Sequence, residues 1–403
     1  MVERAPTGAI GEELGSLGWR GDYSFGHPDV AALRSRLASL QSQRASGLEI
    51  VDPHTEGFAC RAAELLQRDG YAIVRDVLSP DIVAAVQAGL ERIIRGVLTH
   101  DPLRTGNRGS HRYAITASAV KHFGAQTAWA KLLDRPVLLR VLAEVFQTQN
   151  FVASNDGSPW GGFHHGDFCL PGATEFQHLH SDGAAPQGGQ YRDVNLCTRE
   201  DGTTFWRELG QAGLQEEQQH ESRATCRAVN LRDIPIGHFG VTVNFPMELG
   251  ANSHGGQSAI SGPTRVVAGT QHSKEPIPLY SQESLDMKLS MVAPLPPGCA
   301  VLRDCRAWHG GCPNVSRFVR ALLGVGYHAP GRGPAYGTIN RVALSREAYA
   351  SLTLQGQDVC RELVVQDGEI EVESVWSPPK LGFQHTESGF VNRGAEAARV
   401  AKL

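Results

Sequence analysis

The sequence holds little that would take it out of water or tie it to a polyanion. No apolar run approaches the roughly 18 residues that cross a bilayer. Met1–Ala5 lacks the basic start and apolar core of a secretion signal, so a cytoplasmic protein without a membrane span is expected. There is no dense Lys/Arg run and no basic stripe with interleaved aromatics, and a formal charge of −4 offers no general attraction for phosphate backbones. Nucleic acid is thereby disfavoured as a partner. The chain also lacks an internal repeat. Its eight cysteines include no close pair of the zinc-site or thioredoxin type, and the gaps within Cys299, Cys305 and Cys312 fit no zinc spacing. Reduced, mostly buried thiols are expected.

What is present is a folded composition: 403 residues, 41% apolar and 20% charged, which excludes disorder and fibrous repeats. The 45 glycines and 22 prolines are spread along the chain rather than gathered into a linker, as many short strands joined by turns require. Helical patterning comes first. Ser79 and Pro80 open a helix in which Ile82, Val83, Val86, Leu90, Ile93, Ile94 and Val97 recur at three and four. Others are expected near Pro136–Gln147 and Val30–Gln43, with a strand at Gly70–Arg75. From about Phe151 the pattern shortens to strands, among them Val241–Phe245, Thr264–Ala268, Ala300–Leu302 and Phe318–Tyr327, while polar Gln187–Asp233 reads as a long insertion. Helices first and strands later imply an α+β fold with a closed or sandwiched sheet.

The densest cluster of ligand-type side chains is Gln177-His178-Leu179-His180-Ser181-Asp182. On a strand, residues i and i+2 point to one side, so His180 and Asp182 can offer an imidazole and a carboxylate to one ion. His309, among glycines and a proline, is the best third ligand. Two histidines and one carboxylate on one face leave three positions open on Fe(II), which oxygen chemistry needs. The triplet alone is weak, because His165-Gly166-Asp167 is a second one, and His164 and His178 compete. Arg320 adds weight. It lies in Phe318–Tyr327, a strand apolar on both faces beyond its first positions, and a buried guanidinium needs an anion. That anion is either a bound carboxylate, which a planar fork of donors suits, or an Asp or Glu of the chain; the remaining alternative is an exposed edge position that needs neither.

These residues resemble the phytanoyl-CoA dioxygenase family of Fe(II)- and 2-oxoglutarate-dependent oxygenases. The resemblance spans roughly 69–330. It rests on Gln177–Asp182, on Gly262-Pro-Thr-Arg-Val-Val-Ala-Gly-Thr-Gln-His272, and on Pro297-Gly298 leading to His309-Gly-Gly-Cys-Pro-Asn314-Val-Ser316 and Arg320. Gly70–Arg75 with Leu78-Ser-Pro80 looks like the family's opening. The resemblance implies a double-stranded β-helix, a jelly-roll or cupin-like barrel flanked by N-terminal helices, as a domain over 56–330. Segments 1–55 and 331–403 would be extensions. It selects the second triplet, so that His180, Asp182 and His309 hold iron, Arg320 grips the distal carboxylate of 2-oxoglutarate, and Gln177, Thr242 and Asn244 are further contacts. Relatives often carry Ser two residues after the distal histidine; Gly311 stands here and lacks that hydroxyl.

The implied activity is hydroxylation of a C–H bond in a small molecule, with 2-oxoglutarate converted to succinate and CO2 by O2 and ascorbate as an optional stimulant. Asp182 in place of a small residue favours hydroxylation over halogenation. Rival readings are a barrel that binds without turnover and a metal-dependent hydrolase using the same triad. Arg104, Arg108 and Arg112 would suit an acyl-CoA at the entrance, or simply a solvated loop. Ala401-Lys402-Leu403 resembles the Ser-Lys-Leu peroxisomal address, which makes the peroxisome the alternative compartment.

Overall fold

A computed structural model describes residues 30–44, 47–101, 111–115, 130–154, 165–182, 193–200, 204–208, 224–250, 255–328, 344–364, 383–386 and 389–392, with 104, 106, 108, 202 and 253 between them. The terminal tripeptide, His164 and most of 331–403 lie outside the described residues. Helices α1 (Val30–Arg44), α2 (Phe58–Asp69), α3 (Pro80–His100) and α4 (Pro136–Phe146) begin the chain. Helix α2 stops at Gly70, whose φ of 79° suits only glycine well and lets its N–H close on the Leu66 carbonyl. Proline at the first position starts α3 and α4, where its missing N–H costs nothing. In α3 the residues spaced at three and four, Val83, Val86, Leu90, Ile93, Ile94 and Val97, are buried on one face. No described helix is long and apolar enough to cross a membrane.

Helices α2, α3 and α4 cover one face of a large, mainly antiparallel sheet, whereas Leu33 and Leu37 of α1 pack with Met291, Cys312 and Val315. Its strands are β1 (Ile50–Val51), β2 (Tyr71–Val74), β3 (Arg112–Ile115), β4 (Val152–Ser154) and β5 (His165–Cys169), followed by β9 (Val241–Leu249), β11 (Ala300–Asp304) and β13 (Val319–His328). They lie in the order β1-β2-β11-β9-β13-β5-β3, with β4 also pairing β13. The central strand β9 is buried along its whole length, because both faces are covered. Alternation divides its side chains. Val241, Val243, Phe245, Met247 and Leu249 join the helical core, as do Ala321, Leu323 and Val325 of β13. Asn244 and Pro246, with Leu322, Val301 and Arg303, face a cavity on the other side.

Across that cavity runs a second, shorter ladder. Strand β10 (Thr264–Val266) pairs antiparallel with β12 (His309–Gly311), and bridges join His180 to His309 on one side and Arg265 to Met291 on the other. Apolar Val266, Val292 and Leu295 from this layer pack against Ile73 and Val301 of the large sheet.

The stretch read as an insertion carries its own three-stranded sheet, β6 (Asp193–Thr198), β7 (Thr204–Glu208) and β8 (Thr225–Asn230), in the order β7-β6-β8. The expectation of reduced cysteines fails here: Cys197 and Cys226 form a disulfide. Spacing could not reveal it. The register of β6 on β8 sets these two residues opposite each other across 29 positions of chain. Cys60 is exposed, whereas Cys169, Cys299, Cys312 and Cys360 are buried free thiols, as expected.

Candidate functional site

The site is built where residues 177–182 lie antiparallel to β12. Gln177 N–H donates to the Gly311 carbonyl at 2.9 Å; the His180 N–H donates to His309 O at 3.0 Å, and the His309 N–H donates back to His180 O at 2.9 Å. Gly310 permits this approach, since a Cβ there would stand 2.7 Å from Gln177 O and 3.0 Å from His178 O. Alternation then puts His180 and Asp182 on the side that His309 faces. The ligand-type atoms of His180, Asp182 and His309 lie within 4.8 Å of one another, and the two imidazole centroids are 4.2 Å apart. The Oδ1 of Asp182 is 3.6 Å from Nε2 of His309. Each Nδ1 faces a carbonyl, that of His178 at 3.2 Å from His180 and that of Ala307 at 2.9 Å from His309. With the proton assigned to Nδ1 of His180, its Nε2 lone pair is left for an ion, the usual arrangement for a metal-ligating histidine; His309 Nδ1 lies between the Ala307 carbonyl, an acceptor, and Arg303 Nη1, a donor. The donor set of two neutral nitrogens and one carboxylate oxygen suits a first-row divalent ion with open positions.

Electrostatics keep these groups in ligand form. Burial pushes His180 down to about 4 from the usual 6.5. Burial, then the Arg303 charge and His180, hold His309 well below the imidazole range. Burial alone would raise the Asp182 carboxyl, but Arg303 and the two histidines hold it well below the carboxylate range. Arg303, on β11 opposite Thr242 and Tyr71, donates from Nη2 to Asp182 Oδ2 at 2.6 Å and sets Nη1 3.1 Å from His309 Nδ1.

The other residues singled out in the sequence fall into two groups. Arg320 is only 1% exposed; its Nε donates to the Gly262 carbonyl at 2.7 Å and its Nη1 pairs with Asp167. The rival triplet thus supplies a strand residue that partners the arginine, and Asp167 is not in the histidine cluster. Gln177 is buried, with Oε1 accepting from Gly311 N at 3.0 Å. Thr242 and Asn244 are also buried. The hydroxyl of Thr242 is 3.2 Å from the Cys305 sulfur, and the Asn244 amide reaches Leu323 O at 3.5 Å, so each has a strand-level hydrogen bond.

Several residues were missed. Arg303 sits in an apolar-looking strand, and only its charge there, six residues before His309, could have drawn attention. Arg112 is not at a solvated entrance: it is buried, donates to Cys312 O and, at 3.0 Å, to Glu175 O, and its Nη1 lies 2.5 Å from where a Cβ on Gly311 would be. Arg104 is likewise buried, on the carbonyls of Asp101 and Leu98. Arg306, fully buried, joins Asp304 to the carbonyls of Leu231, Arg232 and Ile234, which pins the turn leading into β12.

A family model described as Phytanoyl-CoA dioxygenase (PhyH) matches residues 66–207. This bears out the resemblance read from the residues. The match includes His180 and Asp182, while His309 and Arg320 lie beyond it. No curated protein matches the chain. Solved structures similar to it include EctD from S. alaskensis with bound Fe, at 18% identity and a TM-score of 0.37, covering 69% of this chain and 78% of that one. The same protein with 2-oxoglutarate and 5-hydroxyectoine aligns at 17% identity and a TM-score of 0.36, covering 72% of this chain and 82% of that one. EvdMO1 aligns at 14% identity and a TM-score of 0.34, covering 68% of this chain and 50% of that one.

Proposed function

From a phytanoyl-CoA dioxygenase match over residues 66–207, we propose that this chain is an Fe(II)- and 2-oxoglutarate-dependent dioxygenase that hydroxylates a C–H bond of a small organic molecule. The single observation that carries the reading is the convergence of His180, Asp182 and His309, two of them 129 positions apart in sequence, with ligand atoms within 4.8 Å. The pairing order supports a double-stranded β-helix: β5-β13-β9-β11 on one side, and residues 177–182, β12, β10 and Met291 on the other. The domain would occupy 56–330, with flanking extensions.

Bound Fe(II) with 2-oxoglutarate supplies oxidative decarboxylation to succinate and CO2, coupled to C–H oxidation by O2. The chain's part is to bind, orient and shield. His180 and His309 offer neutral nitrogens and Asp182 one charged oxygen, on one face, so that three positions stay open. Arg320 grips the distal carboxylate of the diacid, which displaces Asp167 from the fork. Desolvating that guanidinium is favourable only with an anion against it, and a carboxylate matches its geometry. Leu322, Val301 and Val266 give the cavity apolar walls that keep water from the reacting groups.

The test is succinate formation from 2-oxoglutarate by protein loaded anaerobically with Fe(II) and then given air and ascorbate. Asp182→Ala should abolish it, Arg320→Ala should raise KM for 2-oxoglutarate about tenfold or more, and Asp167→Asn, which removes the competing carboxylate, should lower that KM. A hydrolase using the same triad would be indifferent to 2-oxoglutarate and to Arg320. A binding-only barrel would make no succinate in any form.

A further inference from the structure

Arg303 poses an energetic question that stability does not answer. Its side chain is 4% exposed and turns into the cavity between the two layers, beside Val301, Val266 and Leu322. An aliphatic residue would pack there without desolvating a charge, and an ion pair whose carboxylate is 41% exposed adds little to stability. The ion pair it makes is also unusual in its partner, since Asp182 belongs to the candidate metal centre rather than to the scaffold. Among the described residues its Nε has no hydrogen-bond partner, while Nη2 and Nη1 are set against Asp182 and His309, so the guanidinium is placed for the candidate metal centre.

The two oxygens of Asp182 are sorted by this contact. Oδ2 takes the Arg303 Nη2 donor at 2.6 Å, while Oδ1 is the oxygen that faces His309 Nε2 at 3.6 Å. A carboxylate with both oxygens free can chelate an ion and use up one of the positions that a chelating co-substrate and O2 require. We propose that Arg303 is a positioning residue of the metal centre, holding Asp182 by Oδ2 so that the carboxylate presents a single oxygen to the ion. Strand β11 fixes Arg303 through its register with Thr242 and Tyr71, and the carboxylate takes its orientation from the strand.

Anaerobic Co(II) titration of the metal-free full chain tests this, read by dissociation constant and by the d–d absorption spectrum, which reports coordination number. Arg303→Leu is expected to weaken Co(II) binding about 10–100-fold, the usual effect of losing a partner of a metal ligand, and to change the spectrum. Arg303→Lys, which returns one charged donor, should recover most of the affinity, and the melting temperature of the metal-free Lys variant should match wild type. If Arg303→Leu does not fold, Arg303→Gln makes the same comparison with one neutral N–H donor. Variants that bind Co(II) with wild-type affinity and spectrum overturn the role of Arg303. The inference rests on the metal-centre reading, and the two failures differ: a wild-type chain that takes up no Co(II) removes both, whereas wild-type binding with unchanged variants removes this one alone.

Discussion

Gly311 and Arg112 share one small volume. A Cβ at Gly311 would lie 2.5 Å from Arg112 Nη1 and 3.3 Å from Gln177 Oε1, so a guanidinium from a different strand fills the space that a side chain at 311 would need. Gly311→Ser should displace Arg112 from the carbonyls of Cys312 and Glu175 and cost about 1–3 kcal/mol, the penalty of lost buried hydrogen bonds. The same change made with Arg112→Ala should cost clearly less than the sum of the single changes. Urea denaturation of the four proteins measures this coupling, and strict additivity would refute it. Protonation at this scale has a definite sign. Burial lowers His178 and His180 from 6.5 to about 4, so between those values the unfolded chain binds more protons than the folded one. Stability therefore rises with pH through that window and is lost on acidification. The melting temperature of metal-free protein should fall as pH drops from about 6.5 to about 4, and a His178→Asn variant should show a shallower fall.

At the scale of elements, the strand that carries His180 and Asp182 is held from behind by a fully buried pair. Glu283 accepts from Leu179 N at 2.7 Å and from Arg265 Nη2 at 2.6 Å, and Arg265, on β10, also donates to Gln177 O and to Met287 O. Both side chains are 0% exposed. Removing one partner of such a pair leaves an uncompensated buried charge, so Glu283→Ala should destabilise the chain by about 3–5 kcal/mol in chemical denaturation and weaken Co(II) binding as residues 177–182 loosen. Little of this was legible. Arg265 lies in the Gly262–His272 motif, but nothing near it in sequence names Glu283 as its partner. The elements themselves were readable where local chemistry settles them: α3 begins at Pro80, as its Ser-Pro start implies, and α4 runs Pro136–Phe146. Strand lengths were less so. Strand β9 extends to Leu249, past Pro246, because its neighbour β13 continues the ladder there, opposite Val319.

At the scale of the whole molecule, the sequence by itself determined the chemical alphabet of the site. Period-two spacing put His180 and Asp182 on one side, the glycines around His309 allowed a close strand approach, and an apolar strand around Arg320 required an anion for a buried charge. These follow from local geometry and side-chain solvation, which neighbouring residues already specify. Only the tertiary structure decided the partners. Asp167 reaches Arg320 across 153 positions, Arg303 reaches Asp182 across 121, and Cys197 meets Cys226 because β8 lies beside β6 in one register. Such pairs depend on strand order and register, and a slip of one residue would turn every side chain of a strand to its other face. The chain states which groups must be buried or satisfied. Which distant group satisfies each is fixed only when the strands pair.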